Sequence, residues 1–465
     1  MFPKKLIPTT VGCVMQTIES AGGRAFLVGG AVVDLILGSQ PKDWDVEVYG
    51  LSYEQLEAVL VDYRPKTVGK QFGILKLSEN TTDSLEVDVN VPRRESSIGI
   101  GHRDFDVELD HTMSPLEAAR RRDLTINALY YDHESGEIVD HFGGLEDLRN
   151  GAIRATDPAT FPEDPVRVLR VMQLLARKGT FVDPGTIELC RSMVGTFSAI
   201  AVERVYEEFR KLLMKAPRPS VGLRFLVESG YVANFPELAA MISCLENPEW
   251  HPEGNTWDHV LNVVDNAARV RDARPTEPPI PEDWMEPFMW SALLHDVGKP
   301  GVMQPDGSAR GHDVAGEEMV IRLLDRVMNG SKELRQRIVA LAVNHMQPYY
   351  LCSGDAGDKA WRRLQNKVRL DVLGWHSRCD GCTKDSRDVL NPEPEHIGSR
   401  VAWEQFIAIG AEGEKIKPLL QGRDLIKAGL KPGPTFGKAL EAAYQAQLDG
   451  DVDPDSLLKV ALAAV

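Results

Sequence analysis

The chain has 465 residues, 43% of them hydrophobic and 26% charged, with 39 glycines and 29 prolines. That length exceeds what one hydrophobic core serves, and the composition excludes wholesale disorder and a fibrous repeat, so two or more folded domains are expected. A formal charge of −16 excludes a protein that coats nucleic acid by bulk charge; any polyanion site must be a basic patch on an acidic body. The six cysteines are scattered, which suits a reducing compartment and not a disulfide framework. At the start, MFPKKLIPTTVGCVM, the apolar run is broken by Pro8, Thr9 and Thr10, and no small-residue cleavage site follows, so no signal peptide is expected. AFLVGGAVVDLILG carries Asp34 and falls short of the about 18 uncharged residues of a membrane span. The expectation is a cytoplasmic protein with no membrane partner.

The first 150 or so residues mix strand patterns (RAFLVGG, DVEVYG, FGILKL, LEVDVNV) with helical ones (YEQLEAVL, PLEAARRR), which predicts a mixed α/β domain. From Asp164 onward strand signals fade. VRVLRVMQLLARK, ERVYEEFRKLLMKA, WDHVLNVVDNAARV, MWSALLHDV and EEMVIRLLDRVM all space apolar residues for helices. The fold class is therefore α+β, a small mixed sheet with helices followed by nearly all helix. KAPRPSVG is a candidate boundary, and ARPTEPPIPEDWMEP is expected to be a long loop because repeated prolines break helices.

Chemistry begins with FLVGGAVVDLILGSQPKDWDVEVYG. Gly29 and Gly30 follow a short strand and precede a helix, so backbone amides face any anion at the helix start. Alone, a diglycine reads as a tight turn. Asp43 and Asp45, however, are two apart in an extended segment and share a face, where their repulsion calls for a cation. Hard oxygen ligands suit magnesium. Downstream, LEVDVNV offers Asp88 on another strand, with Glu86 on the same face. Carboxylates beside a glycine turn that cradles phosphates are what two-metal nucleotidyl transfer requires.

These residues resemble the class II tRNA nucleotidyltransferases, the CCA-adding enzymes and their bacterial poly(A) polymerase relatives. LVGGAVVDLILG matches the family's glycine turn, Asp43 and Asp45 its metal-binding D-x-D, and Arg121, Arg122 and Asp123 its R-R-D. DHFGGLEDLRNGAIR (140–154) resembles the connecting motif, PEDPVRVLR supplies E-D-x-x-R as Glu163, Asp164 and Arg167, and ERVYEEFRKLL (203–213) resembles the last neck motif. The resemblance implies Asp123 at the ribose, Arg121 and Arg122 near the triphosphate, and Arg170 within the nucleotide site. Asp164 and Arg167 are three apart, so on a helix they share a face and present an acceptor and a donor array to a flat base. Cytosine and adenine both set an amino donor beside a ring-nitrogen acceptor, whereas guanine and uracil reverse that pattern and leave the site's charges unpaired. The implied partners are tRNA, CTP and ATP. RRESSIGIGHRDFDVELDHTMSPLEAA resembles the family's flexible loop. One departure stands out: where the family reads G-G-x-V-R-D, this chain has Val33 for the arginine, which leaves room for altered activity although the carboxylates and the base-reading pair remain.

A second constellation lies on helices: His259, His295 with Asp296, His312, His345 and Asp380. LLHDVGKP resembles the HD phosphohydrolase superfamily. The resemblance maps its H…HD…D ligands onto His259, His295, Asp296 and Asp380, with His312 and His345 matching members that hold two metals. Mixed imidazole and carboxylate donors fit a divalent transition metal, and the implied chemistry is hydrolysis of a phosphoester. Cys379 and Cys382 form one C-x-x-C with no second pair for a zinc knuckle. Arg362, Arg363, Lys367 and Arg369 are a candidate phosphate patch, and GRDLIKAGLKPGPTFGKALEAAYQAQLDG resembles the tail of HD-bearing nucleotidyltransferases.

The expected organisation is a nucleotidyltransferase head at 1–150, a helical neck for base recognition and RNA binding at 151–225, an HD domain at 226–400 and a helical tail at 401–465. The expected function is CCA addition to tRNA. The alternatives are a poly(A) polymerase or A-adding enzyme and, from another class, an HD phosphohydrolase whose head is a weakened nucleotide- or RNA-binding module.

Overall fold

The computed structural model describes residues 4–67, 73–78, 86–97, 105–249, 251–354, 356–383, 386–410, 415–450 and 452–465. It consists of two compact units, Met1–Leu212 with Val221–Asn234, and Leu213–Ser220 with Phe235–Val465.

The first unit is α+β. Its strands are β1 (Arg24–Val28), β2 (Asp43–Tyr49), β3 (Lys66–Thr67), β4 (Ile74–Ser78), β5 (Glu86–Asn90), β6 (Arg93–Ser97), β7 (Phe105–Leu109), β8 (Leu129–Asp132), β9 (Ile138–Asp140), β10 (Ala152–Ile153) and β11 (Phe181–Val182). Seven form one sheet in the order β3-β4-β5-β2-β1-β8-β9, with β2 and β5 parallel and the other pairs antiparallel. Period-two alternation explains β2: Trp44, Val46 and Val48 are buried on one face, while Asp43, Asp45 and Glu47 fall on the other.

Helices α1 (Thr9–Ser20), α2 (Gly30–Ile36), α3 (Tyr53–Val59), α4 (Pro115–Arg120) and α5 (Gly144–Asn150) surround this sheet in sequence. Local signals fix their starts. Ser52 with Gln55 and Ser114 with Glu117 form capping boxes, each satisfying two otherwise orphaned amides. Asp140 does the same for α5, accepting from the amides of Phe142, Gly144 and Leu145. Three further helices complete the unit's neck: α6 (Arg167–Lys178), α7 (Pro184–Ser192) and α8 (Val202–Lys215), whose last residues belong to the second unit. α6 buries Val168, Leu169, Val171, Met172 and Leu175.

After Asp164 the described residues are nearly all helical, as expected, apart from the short parallel ladder of β11 with β10. The segment expected as a flexible loop contains an antiparallel ribbon, β6 with β7, in register from Arg93↔Leu109 to Ser97↔Phe105; RRESS of β6 has no apolar residue to mark a strand, although FDVEL of β7 does alternate, and residues 98–104 lie outside the described residues. Val33 is fully buried in α2, so this position is a core position in the present chain.

The second unit is built on the helices Thr256–Ala273, Glu282–Leu294, His312–Val327, Lys332–Asn344, Leu370–Gly381 and Ile397–Ile409. Val260, Val264, Phe288, Leu294, Leu323, Leu341 and Leu373 are among its fully buried core. The proline-rich stretch is only partly a loop: Pro281 caps the helix Glu282–Leu294, which runs through Pro287. A proline there orphans the carbonyl four residues earlier, and the Arg337 guanidinium donates to that Asp283 oxygen at 2.8 Å. At the C-terminal end, Gly422–Lys427, Phe436–Leu448 and Pro454–Ala463 pack Leu425, Ala439, Ala443, Leu457 and Ala461 together. Among the described residues no helix is long and apolar enough to cross a membrane.

A Cβ at Gly144 would lie 2.3 Å from the Thr125 carbonyl oxygen, a contact that only backbone movement relieves. Gly144→Ala is therefore expected to lower stability by about 1–3 kcal/mol, read as a drop in the thermal unfolding midpoint of the first unit; an unchanged midpoint would show that α5 can slide away from Thr125.

Candidate active site and metal centre

The sheet register brings the sequence-predicted carboxylates together. Asp45 pairs with Asp88 and Asp43 with Glu86 across the parallel β2–β5 ladder. Gly29 precedes α2 at φ +67°, a left-handed conformation that favours glycine. A Cβ added there would lie 3.7 Å from Asp45 Oδ2 and 3.8 Å from Arg122 Nη1, so the turn, the carboxylate and the guanidinium share one small space. Lys76, opposite Asp88 on β4, approaches its Oδ2 at 3.5 Å. Asp88 Oδ1 is buried and has no hydrogen-bond partner.

This arrangement is electrostatically strained without a cation. Burial, then the charges of Asp88, Asp43 and Glu47, push the Asp45 carboxyl up to about 6, against the opposing pull of Arg122. An orphaned buried oxygen and a destabilised carboxylate are the features that a divalent cation relieves, and an all-oxygen donor set is of the hard type. The residues present fit such an ion, which Asp43 and Asp45 would hold with Asp88 beside them.

Beneath the cluster lies a network that the sequence reading missed. Glu47 takes Arg122 Nη2 at 2.7 Å and the hydroxyls of Tyr130, at 3.0 Å, and Tyr49. Arg122 also donates to Tyr130 Oη at 3.1 Å. Arg122 thus spends part of its fork on a buried carboxylate while staying beside Gly29. Period-two counting from Asp45 was the available signal for Glu47.

The predicted nucleotide residues lie after α4 and around the start of α6. Asp123 is buried, 2.5 Å from Arg170 Nε and within hydrogen-bond distance of the Asn127 amide. Burial alone would raise its carboxyl, but the Arg170 charge and these bonds hold it below the usual range. Glu163 closes the short 3-10 turn Phe161–Glu163. Asp164 and Arg167 do not share a helical face as expected: Asp164 is extended, at φ −125° and ψ 103°, and α6 starts only at Arg167. Pro165 is the reason, since the residue before a proline is steered away from helical geometry. Asp164 instead takes the Arg204 fork of α8, at 3.0 and 2.6 Å. Arg167 donates to the carbonyls of Thr160 at 2.6 Å and Arg121 at 2.7 Å. Arg121 itself caps the end of α4.

In the second unit all six predicted ligands converge. Asp296 Oδ2 lies 3.5 Å from His259 Nε2 and 3.2 Å from His295 Nε2. Its Oδ1 lies 3.1 Å from His312 Nε2 and 3.7 Å from His345 Nε2. His259 Nε2 also meets Asp380 Oδ1 at 3.0 Å. The outer nitrogens are all engaged: His295, His312 and His345 direct Nδ1 at the carbonyls of Ala292, Ala309 and Ala342, and His259 Nδ1 meets Glu253 at 2.9 Å. With Nδ1 engaged outward, each Nε2 is aimed inward at the carboxylates. Two inward nitrogens of one such pair, His312 and His345, stand 3.0 Å apart, and neither Asp296 oxygen accepts a hydrogen bond of normal geometry. His259, His295 and Asp296 form one candidate metal group, and Asp296, His312 and His345 another. The donor set fits a divalent transition metal.

Around this centre the sequence reading missed Lys299, whose buried ammonium meets Asp296 at 2.8 Å and Glu246 at 2.7 Å. Burial would lower it, but the two carboxylates hold it above the ordinary lysine value. Its spacing of three from Asp296 was the signal. Glu253 and His251, which meets Glu246 at 3.0 Å, come from a loop with no periodicity to flag them. Cys379 and Cys382 are buried free thiols and join no metal group among the described residues. Of the basic cluster, Arg362 donates to the Leu448 carbonyl and Arg363, with Lys359, pairs with Asp449 at 2.7 Å each. These cations cap the C-terminal end of the helix Phe436–Leu448, where its dipole is negative.

A mixed sheet carrying paired carboxylates beside a glycine turn, joined to a helical neck, defines a nucleotidyltransferase. The profile described as "Poly A polymerase head domain" matches residues 25–154, and "Probable RNA and SrmB-binding site of polymerase A" matches 181–242. The multifunctional CCA protein of Xanthomonas campestris pv. campestris is 32% identical over 434 residues, covering 90% of this chain and 97% of the relative. That of Nitrosomonas europaea is 37% identical over 309 residues, 65% of this chain and 69% of the relative. The chain belongs to the multifunctional CCA protein family. Its fold is similar to that of the Bacillus stearothermophilus CCA-adding enzyme in complex with CTP (TM-score 0.61, 21% identity, 96% of both chains). It is also similar to the Thermotoga maritima CCA-adding enzyme complexed with tRNA (TM-score 0.58, 18% identity, 100% and 98%).

Two predictions follow from the charges. Asp45 binds its proton more tightly folded than unfolded, so in metal-free protein its contribution to stability is full below about pH 4 and is lost as pH rises through about 6. A bound divalent cation offsets that loss, so magnesium is expected to raise the unfolding midpoint more at about pH 7.5 than at about pH 5, and Asp45→Asn to flatten the difference. Equal shifts at both pH values in the parent protein would remove Asp45 from the ion's ligands. In the second unit, Asp296→Asn takes one charge from the carboxylate that faces both metal groups. Retention of manganese or nickel after dialysis, read by elemental analysis, is expected to weaken by at least about tenfold; full retention would remove Asp296 from the ligands.

Proposed function

We propose that the protein completes the 3′ end of tRNA, adding C, C and A from CTP and ATP without a nucleic-acid template. The observation that carries this reading is the Asp45↔Asp88 register beside the Gly29–Gly30 turn, within a chain of the multifunctional CCA protein family. In each cycle the RNA 3′-hydroxyl attacks the α-phosphate, a new phosphodiester forms and pyrophosphate leaves. Asp43 and Asp45 would hold magnesium, which would supply Lewis acidity to this transfer. Gly29 and Gly30 leave room for the triphosphate at the start of α2, and Arg122, beside them, offsets its charge. Asp123, steadied by Arg170, serves the ribose. Asp164 accepts from the amino group of cytosine or adenine, and Arg167 donates to the adjoining ring nitrogen. Glu163 ends the turn that sets Asp164 in place. The sparse cysteines support the cytoplasm as its compartment.

A second activity is favoured by a specific observation, the four imidazoles whose Nδ1 atoms are committed outward. We propose a metal-dependent phosphoester hydrolase at His259, His295, Asp296, His312, His345 and Asp380. A divalent transition metal supplies Lewis acidity there, while the carbonyl and Glu253 contacts hold the rings in place.

Labelled nucleotides supplied to tRNA transcripts ending before the first C, after CC and after CCA test both proposals on a sequencing gel. The parent protein is expected to add C, C and A and stop. Asp43→Ala or Asp45→Ala is expected to cut addition at least about a hundredfold, and Asp296→Ala to spare it while abolishing metal-dependent hydrolysis of a phosphodiester probe. Extension by A alone would identify an A-adding enzyme or a poly(A) polymerase. No extension from any transcript would mean that the head only binds.

A further inference from the structure

The Asp164 carboxylate is gripped from behind. We infer that Arg204 sets which bases the nucleotide site accepts, an inference that rests on the base-reading role proposed for Asp164 and Arg167. A carboxylate offers about four lone-pair positions. Arg204 Nη1 takes one on Oδ1 at 3.0 Å and Nη2 takes one on Oδ2 at 2.6 Å. The Val166 amide takes a second on Oδ1 at 3.2 Å. What remains is a single acceptor position, on Oδ2, which suits one N–H of an exocyclic amino group.

Arg167 is held in the same manner, by the carbonyls of Thr160 and Arg121. Acceptor and donor are therefore both fixed before a base arrives. Uracil and guanine set a carbonyl oxygen where cytosine and adenine have the amino group, with an N–H in place of the ring-nitrogen acceptor. To pair with either, the carboxylate has to move toward that N–H. The fork opposes this movement, because turning Asp164 breaks two charge-assisted bonds of defined geometry at once. The Arg204 and Asp164 side chains are 43% and 28% exposed, and an ion pair that open to water adds little to folding stability. Its consequence is directional: it fixes one rotamer of the reading carboxylate. Arg204 is thus a positioning residue that acts through Asp164.

The test compares the parent, Arg204→Ala, Arg204→Lys and Asp164→Ala proteins on a tRNA transcript lacking CCA, with kcat/KM measured for CTP, ATP, UTP and GTP. The readout is the ratio of kcat/KM for CTP to that for UTP within one preparation, from which any loss of active protein cancels. Arg204→Ala is expected to lower this ratio by at least about tenfold, the scale of one charge-assisted bond, with KM for CTP changing more than kcat. Arg204→Lys, a point charge without the fork, is expected to recover part of it. If Arg204→Ala keeps the parental ratio while Asp164→Ala loses it, the role given to Arg204 is overturned and the base reader stands. If Asp164→Ala itself keeps the parental ratio, the base-reading role fails, and the inference with it.

Discussion

Parallel pairing of β2 with β5 is the constraint on which the first unit depends. It sets Asp45 beside Asp88, and a sheet cannot relax that proximity without losing its register. The surroundings answer in two ways. Arg122 opposes the negative charge from the side of the glycine turn, and Glu47 with Tyr130 and Tyr49 fixes Arg122 in turn. Burial, and after it the neighbouring carboxylates, outweigh Arg122, so the Asp45 carboxyl stays up at about 6. A site that is unfavourable when empty of cations and favourable when one is bound converts folding energy into binding selectivity.

The second unit solves a similar problem with other donors. Asp296 sits among four imidazole nitrogens and one ammonium, so its carboxyl is held well below the usual range although burial alone would raise it. Helix ends make this possible. His295 and His345 cap the helices Glu282–Leu294 and Lys332–Asn344, and His312 opens the helix His312–Val327, so carbonyls without a helical partner stand within reach of their Nδ1 atoms. The first site offers only oxygen and the second mostly nitrogen, which suits them to different metals in the same cell.

Much of this was legible in the sequence, and what was not has definable causes. The strands β1, β2, β4 and β5 followed from alternation and β-branched clusters, whereas β3, β8 and β9 were passed over; the carboxylates Asp43, Asp45 and Asp88 followed from strand periodicity. The six ligands of the second unit followed from the resemblance of LLHDVGKP to the HD phosphohydrolases, which singles them out from the chain's other histidines and aspartates. Glu47 and Lys299 carried the right spacing but look like ordinary surface charges until burial is known. Asp164 was misplaced on a helix because Pro165 outweighs the periodicity that follows it. Arg204 was invisible as a partner of Asp164, since that contact joins residues 40 positions apart through the packing of α8. The helix through Pro287 was misread because its compensation, Arg337, lies on another helix.

One feature of α6 joins the two halves of the first unit's chemistry. Arg167 bonds to the carbonyl of Arg121, Arg170 to Asp123, and Lys178 to Asp34. At 3.6 residues per turn, positions 167, 170 and 178 fall on one stripe of the helix. α6 therefore presents a cationic edge to the turn after α4 and to α2. The Arg121 backbone and the Arg167 side chain are coupled, because one accepts a hydrogen bond from the other. Under the roles proposed above, base choice and phosphate placement would depend on this one helix; with Asp34 tied to Lys178, α2 is held to α6 by the neighbour of Val33, and the buried Val33 is left to the core.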